Sequence, residues 1–560
     1  MSKVFLKVKD LLREKIKNAL NTVNKNDLFI PEFSIEIPSN RTHGDLSTNA
    51  ALVCAKVFAK PPADLCNIIA ENIDLNGTYL NSCHVAMPGF INFRLGVDFF
   101  GEVVREIIKE DKNYGKSDFG KGKKVMVEFV SANPTGPMHL GNARGGSLGD
   151  CLSSILSAVG YDVYKEFYVN DAGNQIEKFA RSLEARYLQF FLGENIVPFP
   201  EDGYHGDDVV KLVKNFIDIF ADKYVDCEPE FRKKALVNFA LPKNIKKMKE
   251  DLKKYRIEYD NWFYESELHS SGEIEETIKE LKSKGCTYEK DGTLWIKASD
   301  INCEKDKVLV RQNGVPTYFV ADIAYHRNKF LKRGFDICVD IWGADHHGHV
   351  DRMKGSMDAL GIDSSRLKII VVQVVRLVKD GEIIKMSKRT GKSIGLVDLL
   401  EEVEVNRARF LFNILGANSQ MDFDLDLATQ QSSTNPVYYV QYAHARICSI
   451  LRKSSLQLDV SKALNDMNLD NLTANAEKEL VFCLSCYSQE ITDASKNFDP
   501  ASVTKYVLKI AALFHKFYTS CRIENEDLSL TKSRTCLCLA TKIVMKNILD
   551  MFKIDAPESM

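Results

Sequence analysis

Four short runs rich in β-branched and aromatic residues alternate with stretches of helical periodicity: KVMVEFV (124–130), YDVYKEFYV (161–169), DICVDIW (336–342) and LKIIVVQVVRLV (367–378). Strands this apolar are covered on both faces, and strand–helix alternation is how a chain builds a parallel sheet wrapped by helices. The fold class expected is therefore α/β. A chain of 560 residues exceeds one compact unit. Residues 1–110 read as a small α+β module. It starts with an amphipathic helix, MSKVFLKVKDLLREKIKNAL, then a helix LSTNAALVCAKVFAK stopped by Pro61, then strands in CHVAMPGFINFRL. Residues 111–425 read as the parallel-sheet domain, entered through the Gly-rich linker EDKNYGKSDFGKGKK and interrupted by a charged, mostly helical insertion at about 175–305. From 426 to 560 the periodic segments, such as SVTKYVLKIAALFHKFY, are helical.

Net charge is −2, which excludes a chain that is basic overall and leaves local basic patches possible. No apolar run has membrane-spanning length. Fourteen cysteines without a disulfide framework suit a reducing cytoplasm.

After the first strand comes SANPTGPMHLGNARGG (131–146). A Pro/Gly turn between a strand and a helix places free backbone N–H groups and a dipole's positive end where open α/β sheets bind ligands. Glycine lets a ligand approach the backbone, and His139 and Asn142 offer side-chain donors. A plain connection with a surface histidine fits this stretch equally well. A second segment decides. In GEIIKMSKRTGKS (381–393), Lys385, Lys388, Arg389 and Lys392 crowd one loop, as a polyphosphate partner would require.

HLGN (139–142) resembles the His-x-Gly-His motif, and KMSKR (385–389) the Lys-Met-Ser-Lys-Ser motif, of class I aminoacyl-tRNA synthetases. Asn142 stands in place of the second histidine and Arg389 in place of the last serine. Asparagine keeps a donor but carries no titratable proton. SNRTHGDLSTNAALVCAK, VEFVSANPTGPMHLGN, YVNDAGNQI, TYFVADIAYH, IWGADHHGHV and NPVYYVQYAHARI together resemble the arginyl-tRNA synthetase family. The resemblance implies a Rossmann-like catalytic domain, an N-terminal tRNA-contacting domain and a helical anticodon-binding domain. It also implies ligation of L-arginine to tRNA(Arg) through arginyl-adenylate, with ATP split to AMP and pyrophosphate.

By resemblance, Glu128, Asn133, His139, Tyr318, Asp322 and Asp345 contact arginine, and His139, Gly141, Asn142, Gly343, His346, Lys385, Met386, Ser387 and Lys388 contact ATP. His139, Asn142, Lys385 and Lys388 are the catalytic set. Mg²⁺ enters with ATP as the substrate complex, and no structural metal is expected. A guanidinium offers five donors in a planar fork and demands carboxylate acceptors, which suits these acids. Lysine would leave acceptors unpaired, so no editing domain is expected. In 437–453, Tyr438, Tyr442 and Arg446, with His444 and Arg452 beside them, are candidate tRNA contacts. Lys7, Lys9 and Arg41 are expected at the tRNA elbow. The family's usual form implies a monomer, in the cytoplasm and away from membranes.

DHHGHVD (345–351) has crowded histidines that suggest a metal site or a phosphoesterase, but that reading leaves KMSKR unexplained. The lone Cys483–Cys486 pair reads as core rather than zinc.

Overall fold

The computed structural model describes residues 1–24, 27–384, 394–454 and 469–560. Its centre is a five-stranded sheet in the spatial order Leu367–Val372, Ile337–Gly343, Lys124–Glu128, Asp162–Val169, Asn261–Tyr264, with every neighbouring pair parallel. All four apolar runs supply strands of this sheet. The chain fills one side outward from Lys124–Glu128 and then returns to fill the other. The reversal point lies between Lys124–Glu128 and Ile337–Gly343, where open α/β sheets bind ligands beyond their carboxyl ends.

Side chains alternate across the central strand. Val125 and Val127, with Phe129 just beyond, pack with the helix Leu140–Ala158 on one face. Met126 faces the other way, against the helices Tyr318–Arg327 and Val350–Ala359. Glu128 shares that parity and is buried on the second face.

In the stretch 175–305 the helices Asn174–Leu192, Asp207–Phe220 and Pro229–Lys254 pack around their own small core, and Glu265–Ser270 and Glu273–Ser283 follow them. The stretch also contains the edge strand Asn261–Tyr264 and two strands of an antiparallel sheet completed by Lys307–Val310. NWFY is too short to show a period, so only pairing with Asp162–Val169 makes it a strand. In the N-terminal module, Leu46–Thr48 is a strand paired with Phe90–Leu95, and the helix begins only at Ala50. Sheet pairing there overrides the helical pattern of LSTNAAL. Met421–Asp424, expected near the start of the helical part, is a strand parallel to Val375–Lys379.

The N- and C-terminal parts share one hydrophobic core. It runs from Val4, Phe5, Leu12, Phe99 and Ile107 to Leu480, Tyr487, Phe514, Val544 and Ile548. Ser2 donates its N–H to Ser485 O (2.7 Å), and Tyr114 donates its hydroxyl to Leu484 O (3.0 Å). Arg41 lies 3.5 Å over the Phe482 ring and pairs with Asp45, so it braces this junction. The last residues clamp the catalytic sheet domain: Asp555 takes Arg256 through both oxygens, and Arg409 joins Phe552 O to buried Asp150. Among the described residues no helix is long and apolar enough to cross a membrane.

Candidate active site

The helix Leu140–Ala158 starts at His139 through a reciprocal cap. His139 Nδ1 accepts from Gly141 N–H (3.1 Å), and Asn142 Oδ1 accepts from His139 N–H (3.0 Å). Both residues thus spend an acceptor on the turn. Since Nδ1 accepts, the neutral ring carries its proton on Nε2, and Asn142 retains its NH₂ donors. A Cβ at Gly141 would crowd the folded-back imidazole at 3.0 Å, which explains the glycine. The surrounding protein lowers the His139 pKa by desolvation, and the Asp345 charge opposes it. A neutral His139 preserves the cap, because protonating Nδ1 would break it.

The turn is held from outside. Asn244 donates to Pro134 O (2.9 Å) and Tyr259 to Phe129 O (3.0 Å). Buried Arg144 ties the helix to Gln373 O, Ser419 O and Gly416 O at 2.8–3.0 Å. His139 also bridges to Gly395, and Leu396 N–H donates to Met138 O (2.8 Å). Ile384, before the basic segment, donates to Leu377 O (2.9 Å). Lys385, Met386, Ser387 and Lys388, with Arg389 and Lys392, lie outside the described residues.

Gly343 ends its strand, and Ala344–His349 forms a 3₁₀ turn with Asp345 and His346 exposed on it. This turn is a wall shared by two sites. Asp345 influences His139, while His349 Nε2 meets Asp322 Oδ2 at 3.1 Å. Among the described residues no three His, Cys, Asp or Glu side chains are placed to hold a metal ion.

Tyr318 and Asp322 sit on one helix, Tyr318–Arg327. The Tyr318 hydroxyl accepts from Asn174 N–H, and a Cβ on Gly173 (φ +78°) would overlap that hydroxyl. Tyr318 lines a cavity of about 850 Å³ together with Gly173, Asn174, Glu265, Arg311 and Ala321. Glu265 follows the edge strand Asn261–Tyr264 and is only 3% exposed. Burial raises its pKa to about 7, and the Asp322 and Asp171 charges add to the rise. No lysine or arginine pairs with it among the described residues; the nearest basic group is His269, at 3.8 Å. A buried carboxylate without a counter-ion is costly and asks for a cationic ligand. Sequence reading missed Glu265, because the strand it follows is itself revealed only by pairing with Asp162–Val169.

Glu128 is 6% exposed, with one oxygen on Lys329 Nζ (2.6 Å) and the other accepting from Ser131 (2.9 Å). Asn133 is exposed in the turn. Far away, Tyr438, Tyr442 and His515 stack in a ladder with centroids 6.1–6.3 Å apart. Arg446 covers the Tyr518 ring beside it and donates to its hydroxyl (2.6 Å). His444 and Arg452, candidate tRNA contacts by sequence, instead hold the C-terminal tail at Pro557 O (2.9 Å) and Glu558 O (3.0 Å). Both lie where the tail folds back, which no local pattern announces.

Three family models match the chain: the arginyl tRNA synthetase N terminal domain over residues 10–95, the tRNA synthetases class I (R) catalytic domain over 103–449, and the DALR anticodon binding domain over 440–560. An arginine–tRNA ligase from Ruminiclostridium cellulolyticum is 51% identical over 557 residues, 98% of this chain and 99% of that protein. One from Caldanaerobacter subterraneus subsp. tengcongensis is also 51% identical, over the full length of both. The Thermus thermophilus arginyl-tRNA synthetase structure, 20% identical, has the same fold, with TM-score 0.71 over 99% of this chain and 100% of that one. A capped turn at the sheet's reversal point, an acid-lined cavity and 51% identity over essentially the full length to such ligases converge: this chain belongs to the arginyl-tRNA synthetase family of class I and charges tRNA(Arg) with arginine.

Proposed function

We propose that the cavity beside Tyr318 takes the guanidinium of arginine, and that the His139 turn takes ATP, which enters as its Mg²⁺ complex. The observation that carries this reading is Glu265, buried next to Asp322 with no lysine or arginine partner among the described residues. Glu265 and Asp322 accept the guanidinium N–H groups, with the Tyr318 hydroxyl beside them. At the other end of the substrate, Glu128 and Asn133 meet the α-ammonium, and Asp345 closes the rim.

In the first step an oxygen of the arginine carboxylate attacks the α-phosphorus of ATP. A P–O bond forms, the bond to the bridging oxygen breaks, and pyrophosphate leaves. His139 Nε2–H and Asn142 Nδ2 donate to the phosphates and, with the positive end of the helix dipole, steady the charge that develops. Gly343 and His346 border the nucleoside. Lys385 and Lys388, by family resemblance, stabilise the pyrophosphate leaving group, with Met386 and Ser387 in the same segment. Gly395, seven residues after Lys388 in sequence, pairs with His139. In the second step the terminal adenosine's 2′-hydroxyl of tRNA attacks the acyl carbon and AMP leaves. The ladder of Tyr438 and Tyr442, with Arg446, offers anticodon bases a stacking surface. We further propose a cytoplasmic monomer, as the family's role in translation suggests.

The test is ATP–pyrophosphate exchange with each amino acid, with and without tRNA. Exchange that depends on arginine supports the reading. Exchange driven by another amino acid and not by arginine overturns it.

A further inference from the structure

Asp340, Glu128 and Glu166 stand side by side, in register, on three neighbouring parallel strands. All three are buried. Like charges opposite one another destabilise a sheet, and burying them unpaired costs more. Each carboxylate is met by a cation from the segment 325–333. Arg333 donates to both Glu166 oxygens, helped by Tyr325 and Asn261. His326 joins Asp340 Oδ2 (2.6 Å) to the carbonyl of Asp322 (2.7 Å). Both its ring nitrogens thus face oxygen atoms of the protein.

Lys329 sits between the other two contacts. Its ammonium lies 2.6 Å from Glu128 Oε2 and 2.8 Å from Asp340 Oδ1, 4.2 Å from the Tyr325 ring centroid, and is fully buried. It comes from a π-helical turn, Asn328–Lys332, that continues the helix bearing Tyr318 and Asp322. Such turns recur at functional sites. On the far side of Glu128, Ser131 donates to Oε1 (2.9 Å) and accepts from Tyr168 N–H (3.1 Å). Val130 and Ser131 hold φ at +72° and +39°, a region that a β-branched valine avoids and that persists only where surroundings enforce it. The chain Lys329–Glu128–Ser131 is that enforcement, and the strained turn leads directly to Asn133.

We propose that Lys329 is a positioning residue for arginine binding: wedged between Glu128 and Asp340, it keeps the Glu128 carboxylate charged and fixed, so that the 130–133 turn is presented to the substrate's α-ammonium. The proposal rests on the reading above that Glu128 contacts arginine. Burial pushes the Glu128 carboxyl up, Lys329 pulls it back, and Asp340 adds to the rise. Glu166, His326, Tyr325 and Tyr168 complete the groups around Glu128, and only Lys329 among them makes an ion pair with it.

The test is arginine-dependent ATP–pyrophosphate exchange with tRNA present, from pH 6 to 9, with thermal melting to confirm folding. Lys329→Met raises the arginine KM on the order of tenfold or more, the effect of losing a charged hydrogen bond, while the ATP KM stays put. The arginine KM of this variant falls more steeply with rising pH than that of the unaltered protein, because a Glu128 without its clamp ionises late. In a Glu128→Gln background Lys329→Met adds nothing. If Lys329→Met does not fold, Lys329→Arg, which keeps charge and displaces the carboxylate, raises the arginine KM alone and leaves its pH slope as in the unaltered protein. An unchanged arginine KM, equal shifts in both KM values, or the same effect in the Glu128→Gln background overturns the proposal. Glu128→Gln with a normal arginine KM overturns the underlying reading instead.

Discussion

The two halves of the proposed active site are built by different means. The nucleotide side is local: His139, Gly141 and Asn142 cap one helix through bonds spanning two or three residues. The arginine side is long-range: Tyr318 leans on Gly173, Asp322 on His349, and Glu265 follows an edge strand that lies between Gly173 and Tyr318 in sequence. The first depends on backbone geometry and neutral donors. The second depends on buried charge, and its strength therefore varies with protonation.

Substitutions that separate the halves test this contrast. Glu265→Gln is expected to act most strongly, raising the arginine KM on the order of a hundredfold while the ATP KM changes little. Steady-state exchange kinetics decide, and an equal rise in both KM values would erase the distinction. Next in size is His139→Ala, expected to lower kcat for adenylate formation by roughly ten- to a hundredfold, since it removes a phosphate donor and unravels the cap. Pre-steady-state adenylate formation measures it. Tyr442→Ala is expected to raise the tRNA KM by roughly tenfold, the worth of one stacked base, and to spare both small substrates. Aminoacylation at varied tRNA concentration shows whether that third region is independent of the other two.

A pH dependence sharpens the comparison further. Glu265 must be ionised to hold a guanidinium, so arginine affinity rises from pH 6 to 8 as the group titrates near 7. In the free protein the sign for stability is opposite. The folded pKa exceeds the unfolded one, so the native state holds the extra proton between about 4.5 and 7 and loses stability as pH climbs through that window. The loss approaches about 3 kcal/mol above the folded pKa. Calorimetric melting with and without arginine reads both effects. Besides Asp322 and Asp171, the charged groups facing Glu265 are His269, Arg311 and Glu177, and Glu265→Gln should flatten both profiles.

What was legible in the sequence follows the same division. The strand–turn–helix at 124–158 and the four apolar strands declare themselves through short-range patterns. So does the i, i+4 pair Tyr318 and Asp322. Glu265 has ordinary neighbours in YESEL, and only the fold makes it a buried acid facing a cavity. NWFY becomes a strand because Asp162–Val169 is beside it. His444 looks like an RNA contact until the tail folds back on it. Lys329 is one lysine among many in HRNKFLKRG, and its role rests on two acids that pair across a sheet.

The hydrophobic core shared by the chain's two ends has a consequence for biosynthesis. Phe5, Phe99 and Val103 leave the ribosome early, yet the helices that cover them, Asn475–Ser485 and Leu528–Met551, are made last. At ordinary elongation speeds the gap is roughly half a minute. During that time the nascent amino-terminal segment shows an unquenched greasy flank to water, an invitation to chaperones and a point at which truncated messages yield insoluble product.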